Sequence, residues 1–173
     1  MKPKLVVSKK ANRKVVQDSQ VTMVELVLPN DTNQLGALLG GKLMHWIDIA
    51  AAISAQRHSG KVCVTASVDE INFHHPIRLG EVVTLRASVN RAFHTSMEVG
   101  VQVTSENLLT GEKKTSNTAY LTFVALDSNG RPSEVFPIFP ETNDEKRRFK
   151  EALLRRERRL QNRKPLSPKK GVR

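Results

Sequence analysis

One segment, residues 33–55, constrains the fold more than any other part of the sequence. It is a polar, glycine-rich loop followed by an almost wholly apolar run, which predicts a helix from about residue 41 to residue 58, ended by Gly60. A helix that is apolar on every side is normally buried. Asp48 lies inside this helix, and a buried carboxylate is unfavourable unless it is paired, hydrogen-bonded or used in chemistry. The segment therefore predicts a central helix, and its carboxylate is the first clue to function.

The rest of the body has the alternating apolar pattern of β-strands. One strand is predicted before the helix, at residues 21–28, and four after it, most of them joined by short turns. Short connections suit antiparallel pairing, whereas parallel strands need long crossovers. The simplest arrangement is an α+β fold in which one antiparallel sheet of about five strands wraps around the helix.

The first strand after the helix is predicted to contain a β-bulge. Its small and apolar residues alternate and so share one face: Val62, Val64, Ala66 and Val68. The apolar positions then shift to Ile71 and Phe73. This change of parity predicts a bulge near residues 69–70.

A second, charged helix is predicted near the C-terminus. Thr142 and Glu145 have the spacing of a capping box, and the helix runs to about residue 162, before Pro165 and Pro168. The sequence thus divides into a basic N-terminal extension, a domain, a linker, and a basic helix with its tail: residues 1–19, 20–126, 127–142 and 143–173.

Composition narrows the possible functions. A chain of 173 residues suits one domain with appendages. Cys63 is the only cysteine, so no internal disulfide can form, and the sequence has neither an apolar run of about 18 residues nor a signal peptide. These features indicate a cytoplasmic protein without a membrane span.

The net charge of +11 belongs mainly to the C-terminal region. Residues 144–173 hold 13 Lys or Arg and 4 Asp or Glu, a net charge of +9, whereas the other 143 residues carry only +2. RNA-binding modules favour exposed stacking aromatics, but the chain has six Phe, one Tyr, one Trp and no run typical of such modules. We therefore do not expect a nucleic-acid partner, and RNA binding by the basic tail is a distant alternative.

The loop and the helix together offer groups suited to hydrolysis. Asp48 follows Gly41 by two helical turns and so lies on the same face. Unpaired N–H groups at Gly40 and Gly41 could hold a carbonyl oxygen that becomes an oxyanion, while Asp48 acts as a general base on water and Asn33 orients the water or the carbonyl. The alternative is structural, with glycines that only cap the helix and an Asp48 satisfied by backbone groups.

Other reactive residue types have weaker patterns. The Thr65 hydroxyl matters only if Thr65 faces the helix near Asp48, and Cys63 has the apolar neighbours of a packed residue. His74 and His75 are adjacent in a strand and point to opposite faces, so no metal site is expected.

A turn between two predicted strands carries four polar residues that could bind phosphate: Arg91, His94, Thr95 and Ser96. A solvated hairpin tip is an equally good interpretation of these residues.

Several motifs, in order over roughly residues 20–160, resemble the hotdog-fold acyl-CoA thioesterases. The closest similarity is to the bacterial, oligomeric acyl-CoA hydrolases related to the brain-type cytosolic enzymes. The motifs are Asn33-x-x-Gly36-x-x-x-Gly40-Gly41, Trp46-x-Asp48-x-Ala50-Ala51, Thr65-Ala66-Ser67-Val68-Asp69, Phe73-x-x-Pro76-x-x-x-Gly80 and Thr95-Ser96-Met97-Glu98-Val99.

The resemblance implies a hotdog fold, a dimer with a continuous sheet as the catalytic unit, and a hexamer made of three such dimers. The implied reaction is hydrolysis of fatty acyl-CoA to fatty acid and CoA without a metal or cofactor, CoA being part of the substrate and product. The implied catalytic pair is Asn33 of one protomer and Asp48 of the other, with Asp48 as general base or nucleophile. Thr65 is implied as a third site residue, and the N–H groups of Gly40 and Gly41 as the oxyanion site.

The resemblance also implies where the two ends of the substrate lie. The CoA nucleotide is expected near the turn that holds Arg91, His94, Thr95 and Ser96, with Arg155 or Arg159 assisting. The acyl chain is expected in the apolar interface beside the central helix.

Two other functions are possible on the same fold. A non-catalytic acyl-CoA sensor would carry a DNA-binding helix-turn-helix segment, and residues 1–19 are too short and too polar for one. A dehydratase would place a catalytic His near the helix start, whereas His74-His75-Pro76 follows the helix and a strand.

Overall fold

The computed structural model describes residues 14–69, 71 and 75–162. Two helices, seven strands and two short 3-10 turns, at Val16–Ser19 and Pro29–Asp31, make up this part of the chain. In chain order the strands and helices are β1 Lys14–Val15, β2 Val21–Leu26, α1 Gly40–Ser59, β3 Val62–Val68, β4 Val82–Ala92, β5 Ser96–Glu106, β6 Lys113–Leu126, β7 Ile138–Phe139 and α2 Asn143–Gln161.

Five strands form one antiparallel sheet in the order β2-β4-β5-β6-β3. Helix α1 contacts all five of them, so the sheet wraps around the helix. The predicted α+β fold, with a central helix, about five antiparallel strands and a C-terminal helix, is confirmed.

The core lies between α1 and the inner face of the sheet. Ala50 and Ala51 are fully buried, and their small side chains let the sheet approach the helix closely. The inner face is apolar because each central strand turns alternate residues toward α1. These buried residues are Val83, Leu85, Ala87, Val89, Met97, Val99, Val101, Val103, Ala119, Leu121, Phe123 and Ala125.

Helix α1 ends as predicted, but it is not buried on every side. Gly60 adopts a left-handed conformation (φ 67°) and donates its N–H to the Gln56 carbonyl, which is a typical glycine stop. One side of α1 remains open in the protomer, where Met44, Ile49 and Ile53 are 36–43% exposed. The sheet of one protomer thus covers only some of the apolar side chains of α1, and the others remain exposed.

Strand β3 corrects two predictions. The register shift lies between Thr65 and Ser67, so the bulge is at Ala66 rather than near residues 69–70. Val68 pairs with the buried Leu121 and so faces inward, opposite to Val64. The alternation was misleading because β3 is an edge strand with apolar residues on both faces. Glu70 and Phe73, which the same prediction used, lie outside the described residues.

Both ends of the described chain pack on the domain. Val16, which the sequence places in the N-terminal extension, is only 2% exposed, and β1 pairs with β7. Helix α2 has the predicted capping box of Thr142 and Glu145 and buries Ala152. Pro165 and Pro168 lie outside the described residues. Neither of the two described helices is long and apolar enough to cross a membrane.

Candidate active site

Asp48 and Thr65 form a hydrogen-bonded pair on the open side of α1. The Thr65 hydroxyl donates to Oδ1 of Asp48 over 2.7 Å. Thr65 pairs with the buried Phe123 across the sheet, so its side chain lies on the inner face, toward α1. Thr65 therefore faces the helix near Asp48, which is the condition under which the sequence made its hydroxyl a candidate site group.

The bulge at Ala66 directly follows this pair. A bulge ends the alternation of a strand and re-aims the side chains around it, which is why bulges are common beside active sites. Here Thr65 faces Asp48, while Ser67 pairs with Thr122 on the outer face. Asp48 itself is partly exposed. Thr65 binds its Oδ1, whereas its Oδ2 accepts no hydrogen bond from the described residues.

Asn33 organises the loop that leads into α1. Its side-chain oxygen accepts hydrogen bonds from the backbone N–H groups of Leu35 (2.9 Å) and Ala37 (3.2 Å). Gly36 allows the tight loop because it has φ 68°. The NH₂ group of Asn33 makes no hydrogen bond within the described residues, so it is a donor available to a ligand.

The loop is fixed to α1 by an ion pair that the sequence did not predict. Lys42 lies 3.0 Å from the buried Asp31, and its hydrogen bond lowers the pKa of the Asp31 carboxyl below its ordinary value. Asp31 also accepts from the N–H of Leu28 and its carbonyl accepts from the N–H of Leu39. The position of Asn33 relative to the helix start therefore depends on Asp31.

A cleft of about 340 Å³ lies at the start of α1. Asn33, Gly40, Leu43, His75 and Ile77 are among its lining residues. No side chain caps the first turn of α1, and a Cβ on Gly41 would meet open space. The cleft thus offers helix N–H groups and the Asn33 amide to a polar ligand atom.

This cleft and the Asp48–Thr65 pair are separate places on one protomer. Asp48 follows Gly40 by eight residues, and a rise of 1.5 Å per residue separates them by about 12 Å along the helix. The structure does not bring Asn33 into contact with Asp48 of the same chain. Of the predicted catalytic residues, it brings together Asp48 and Thr65, and it places Asn33 and Gly40 at the other cleft, with Gly41 next to Gly40 in the first turn of α1.

A second cleft, of about 720 Å³, lies between the outer face of the sheet and α2. Thr95 and Ser96 line it, as do Tyr120 and four arginines of α2. Two other predicted CoA-binding residues point elsewhere. Arg91 donates to the Phe149 carbonyl over 3.1 Å and lies on the Phe149 ring, while His94 is exposed beside Glu134.

Two of the four arginines are held by carboxylates. Glu98 is fully buried and accepts from Arg155 (2.7 Å) and Arg159 (3.4 Å), and Arg159 also binds Asp69 at 2.8 Å. Burial by itself would lower the pKa of Arg155. The hydrogen bonds to Glu98 and the negative charge of Glu98 outweigh this effect and raise the Arg155 pKa above its ordinary value.

The other two arginines of this cleft are Arg156, which lies 4.6 Å from the Phe93 ring, and Arg158. Neither has a carboxylate partner in the described chain.

Sequence reasoning missed the burial of Glu98, because a charged residue between Met97 and Val99 is ordinarily a solvent-facing one.

A metal site has no support from the described residues, in which no group of three His, Cys, Asp or Glu side chains could hold an ion. His74 lies outside the described part of the chain, and His75 lines the cleft beside Asn33. Cys63 is buried against Ser59, and burial raises the pKa of its thiol.

A central helix inside a curved antiparallel sheet, with a carboxylate on the open side of the helix, is the hotdog arrangement that the motifs implied. The sequence matches the model of the thioesterase superfamily over residues 35–112. The uncharacterized acyl-CoA thioester hydrolase YkhA of Bacillus subtilis is 46% identical over 129 residues, which cover 75% of this chain and 75% of that protein. This chain therefore belongs to the thioesterase superfamily, among the acyl-CoA thioester hydrolases.

Mouse acyl-coenzyme A thioesterase 11 is 45% identical over 142 residues, or 82% of this chain. Those residues span only 24% of the mouse protein. A hexameric acyl-CoA thioesterase, solved without ligand, superposes with a TM-score of 0.84 at 40% identity, covering 86% of this chain and 96% of that one.

An acyl-CoA hydrolase from Staphylococcus aureus, solved with butyryl-CoA and CoA, has a TM-score of 0.81 and 38% identity, with coverage of 86% of this chain and 91% of that one. It has also been solved as single variants in which an asparagine, an aspartate and a threonine are replaced by alanine. Those three positions follow one another at intervals of 15 and 17 residues. The same intervals separate Asn33 from Asp48 and Asp48 from Thr65.

Proposed function

We propose that this protein hydrolyses fatty acyl-CoA to a free fatty acid and CoA, with Asp48 as the general base. The observation that carries the proposal is the 2.7 Å hydrogen bond from Thr65 to Asp48 on the open side of α1. A threonine bound to one carboxylate oxygen fixes the carboxylate and leaves the other oxygen free for water. The family membership and the matching intervals in the S. aureus hydrolase support these roles.

The reaction needs no group beyond water and the chain itself. The water oxygen attacks the thioester carbonyl carbon while Asp48 takes one proton from the water. The carbonyl oxygen becomes an oxyanion, which backbone N–H groups at Gly40 and Gly41 stabilise at the positive end of the helix dipole. The C–S bond then breaks, and the CoA sulfur takes the proton from Asp48.

The active site in this proposal spans two protomers. The oxyanion donors at the start of α1 lie about 12 Å along the helix from Asp48 of the same chain, and Asn33 lies in the loop before them. A second protomer placed on the open side of α1 would bring its own helix start to Asp48. The exposed apolar residues there, Met44, Ile49 and Ile53, suit such an interface and a binding site for the acyl chain. The hexameric relative supports the further association of three dimers.

The nucleotide end of CoA would lie in the cleft beneath α2. Arg156 and Arg158 supply positive charge for its phosphates, and Thr95, Ser96 and Tyr120 supply hydroxyl groups. Arg155 and Arg159 are less suited because Glu98 and Asp69 already bind them. The substrate would then cross β3, whose outer edge no other described strand of this chain covers.

Replacing the base tests the proposal. Asp48→Asn keeps the size of the side chain and its hydrogen bond with Thr65 but removes the basic oxygen, so we expect thioester hydrolysis to fall by at least about a hundredfold. Release of free thiol from a panel of acyl-CoA substrates measures the rate. Glu25→Gln, a change on β2 away from both clefts, is the matched control. Full activity of Asp48→Asn would refute the assignment, and binding of acyl-CoA by the unaltered protein without turnover would favour a sensor.

A further inference from the structure

An ionic cluster built around the buried Glu98 ties α2 to the strand that carries Thr65. The cluster consists of Asn90, Glu98, Asp69, Arg155 and Arg159. Glu98 is 0% exposed in the middle of β5, where an unpaired carboxylate would be strongly unfavourable. It accepts hydrogen bonds from Arg155, from Arg159 and from the Asn90 amide at 3.2 Å.

Arg159 connects this buried carboxylate to the end of β3. Its Nη1 lies 3.4 Å from Glu98 and donates to both oxygens of Asp69, at 3.0 and 2.8 Å. Asp69 directly follows β3, and its N–H donates to the Tyr120 carbonyl. Arg155 covers the ring of the same Tyr120 at 3.6 Å. Asp69 is therefore held by two groups of neighbouring elements, one on β6 and one on α2.

β3 needs such an anchor because it is an edge strand. Only β6 pairs with it in the protomer, and the ladder is interrupted by the bulge at Ala66, one residue after Thr65. A strand hydrogen-bonded on one side and broken by a bulge has few constraints on its position. The Arg159 guanidinium contacts two carboxylates at once, Asp69 and Glu98, and its planar shape supplies direction as well as attraction.

We propose that Arg159, held by Glu98, is a positioning residue that fixes the end of β3 through Asp69 and thereby keeps the Thr65 hydroxyl on Asp48. This inference rests on the proposed function and adds a role for the C-terminal helix in catalysis. Arg159 acts through Thr65 and not on the substrate. Its loss lowers kcat and leaves the affinity for the thioester nearly unchanged.

A double-mutant cycle tests the inference. Arg159→Gln lowers kcat about tenfold, and Thr65→Val lowers it by at least as much. The double variant Thr65→Val/Arg159→Gln matches Thr65→Val alone within about twofold, because Arg159 acts through the group already removed. Asp69→Asn, which weakens the same contact from β3, behaves like Arg159→Gln. Arg147→Gln is the matched control, since Arg147 is an ion-paired arginine on the exposed side of α2.

Two substrates separate positioning from binding. Arg159→Gln is expected to lower kcat equally for acyl-CoA and for the same acyl group on N-acetylcysteamine, which lacks the nucleotide. A raised KM for acyl-CoA alone, with kcat unchanged, would assign Arg159 to phosphate binding and overturn the inference. Independent, multiplicative losses in the double variant would overturn it as well.

The inference and the proposed function can fail separately. If Thr65→Val has full activity, the proposed role of Thr65 is wrong and the inference falls with it. If Thr65→Val is impaired and the folded Arg159→Gln and Asp69→Asn proteins are fully active, only the inference is wrong. Thermal unfolding and size-exclusion chromatography establish that each variant is folded and assembled. Arg159→Lys, which keeps the charge but not the planar group that contacts both Asp69 and Glu98, is expected to be intermediate.

Discussion

At the scale of single residues, the protein uses polar groups that are costly to bury unless they are paired. Asp48 is paired with Thr65, Asp31 with Lys42, and Glu98 with two arginines. Asp48 and Thr65 lie on an open surface, whereas the Glu98 side chain is fully buried. Only the carboxylate of the open pair is accessible to water and substrate, which is why we assign chemistry to Asp48 and a structural role to Glu98.

The Thr65 hydroxyl is expected to contribute to the rate through its hydrogen bond. A hydrogen bond to a charged group contributes about 1.5–3 kcal/mol, which corresponds to about 10- to 100-fold in rate. We therefore expect Thr65→Val to lower kcat by that factor and Thr65→Ser, which keeps the hydroxyl, to retain most activity. Steady-state thiol release measures both variants. Equal losses of kcat in Thr65→Val and Thr65→Ser would indicate a packing effect and contradict the role of the hydroxyl.

His58 gives the stability of the protein a pH dependence. It is fully buried, its Nε2–H donates to the Phe136 carbonyl at 2.9 Å, and burial lowers its pKa below the ordinary value. The hydrogen bond to Phe136 and the charge of Asp18 oppose this lowering of the pKa, while the charge of Lys14 adds to it. A depressed folded-state pKa means that stability is complete above about pH 6.5, the ordinary value, and is lost as the pH falls below it.

Thermal unfolding between pH 7.5 and pH 5 should therefore show a falling Tm, and His58→Gln should flatten this dependence. The readout is the slope and not the absolute stability, because the substitution also alters packing. His94→Gln, at an exposed position, is the control and should leave the slope unchanged. The same slope in His58→Gln as in the unaltered protein would contradict the prediction.

At the scale of elements, two helices have different relations to one sheet. α1 packs on the inner face and keeps one side open, whereas α2 packs on the outside and is joined to the sheet by guanidinium contacts. Arg155 and Arg159 hold α2 in place, and Arg156 and Arg158 remain as cations beside the outer cleft. The arginines of this basic helix that line the cleft therefore form two sets, one bound to carboxylates of the sheet and one without such a partner in the described chain.

Arg156→Gln and Arg158→Gln are expected to raise KM for acyl-CoA about fivefold each, because an exposed charge contact contributes about 1 kcal/mol. kcat should change little, and the N-acetylcysteamine thioester should be unaffected. Arg91→Gln is the comparison, since Arg91 contacts Phe149 and does not line the cleft. A larger effect on KM from Arg91 than from Arg156 and Arg158 would place the nucleotide at the hairpin instead.

At the scale of the whole molecule, one protomer presents the proposed site residues in two separate places. Asp48 with Thr65 lies on the open side of α1, and Asn33 with the helix start lies at a separate cleft. Apolar residues remain exposed between them. Association of two chains would cover this surface and complete two sites together.

Complementation between protomers tests this arrangement. Asn33→Ala and Asp48→Ala proteins are each expected to be inactive, but mixing them under conditions of subunit exchange should restore activity. In a mixed dimer, one of the two sites receives both unaltered residues and the other receives neither. Statistical mixing therefore predicts about a quarter of the unaltered activity, because half of the dimers are mixed. No recovery, with exchange demonstrated by labelled subunits, would contradict a site shared across the interface.

Much of the fold follows from local patterns in the sequence. The helix, its glycine stop, the strands β4 and β5 and the capping box of α2 were predicted from periodicity and spacing, and the structure confirms them. These features are predictable because each depends on residues a few positions apart. The position of the bulge in β3 was not predictable from the sequence. Apolar residues occur on both faces of this edge strand, so the apolar pattern does not show which residues face the core.

The sequence by itself determined the central helix with Asp48, the antiparallel pairing of the strands and, through its motifs, the family. Only the tertiary structure decided that Thr65 faces Asp48, that Glu98 is buried, and which arginines are engaged. These contacts join residues 17 to 90 positions apart. No local period encodes such contacts, because they depend on the register of the strands and on where α2 crosses the sheet.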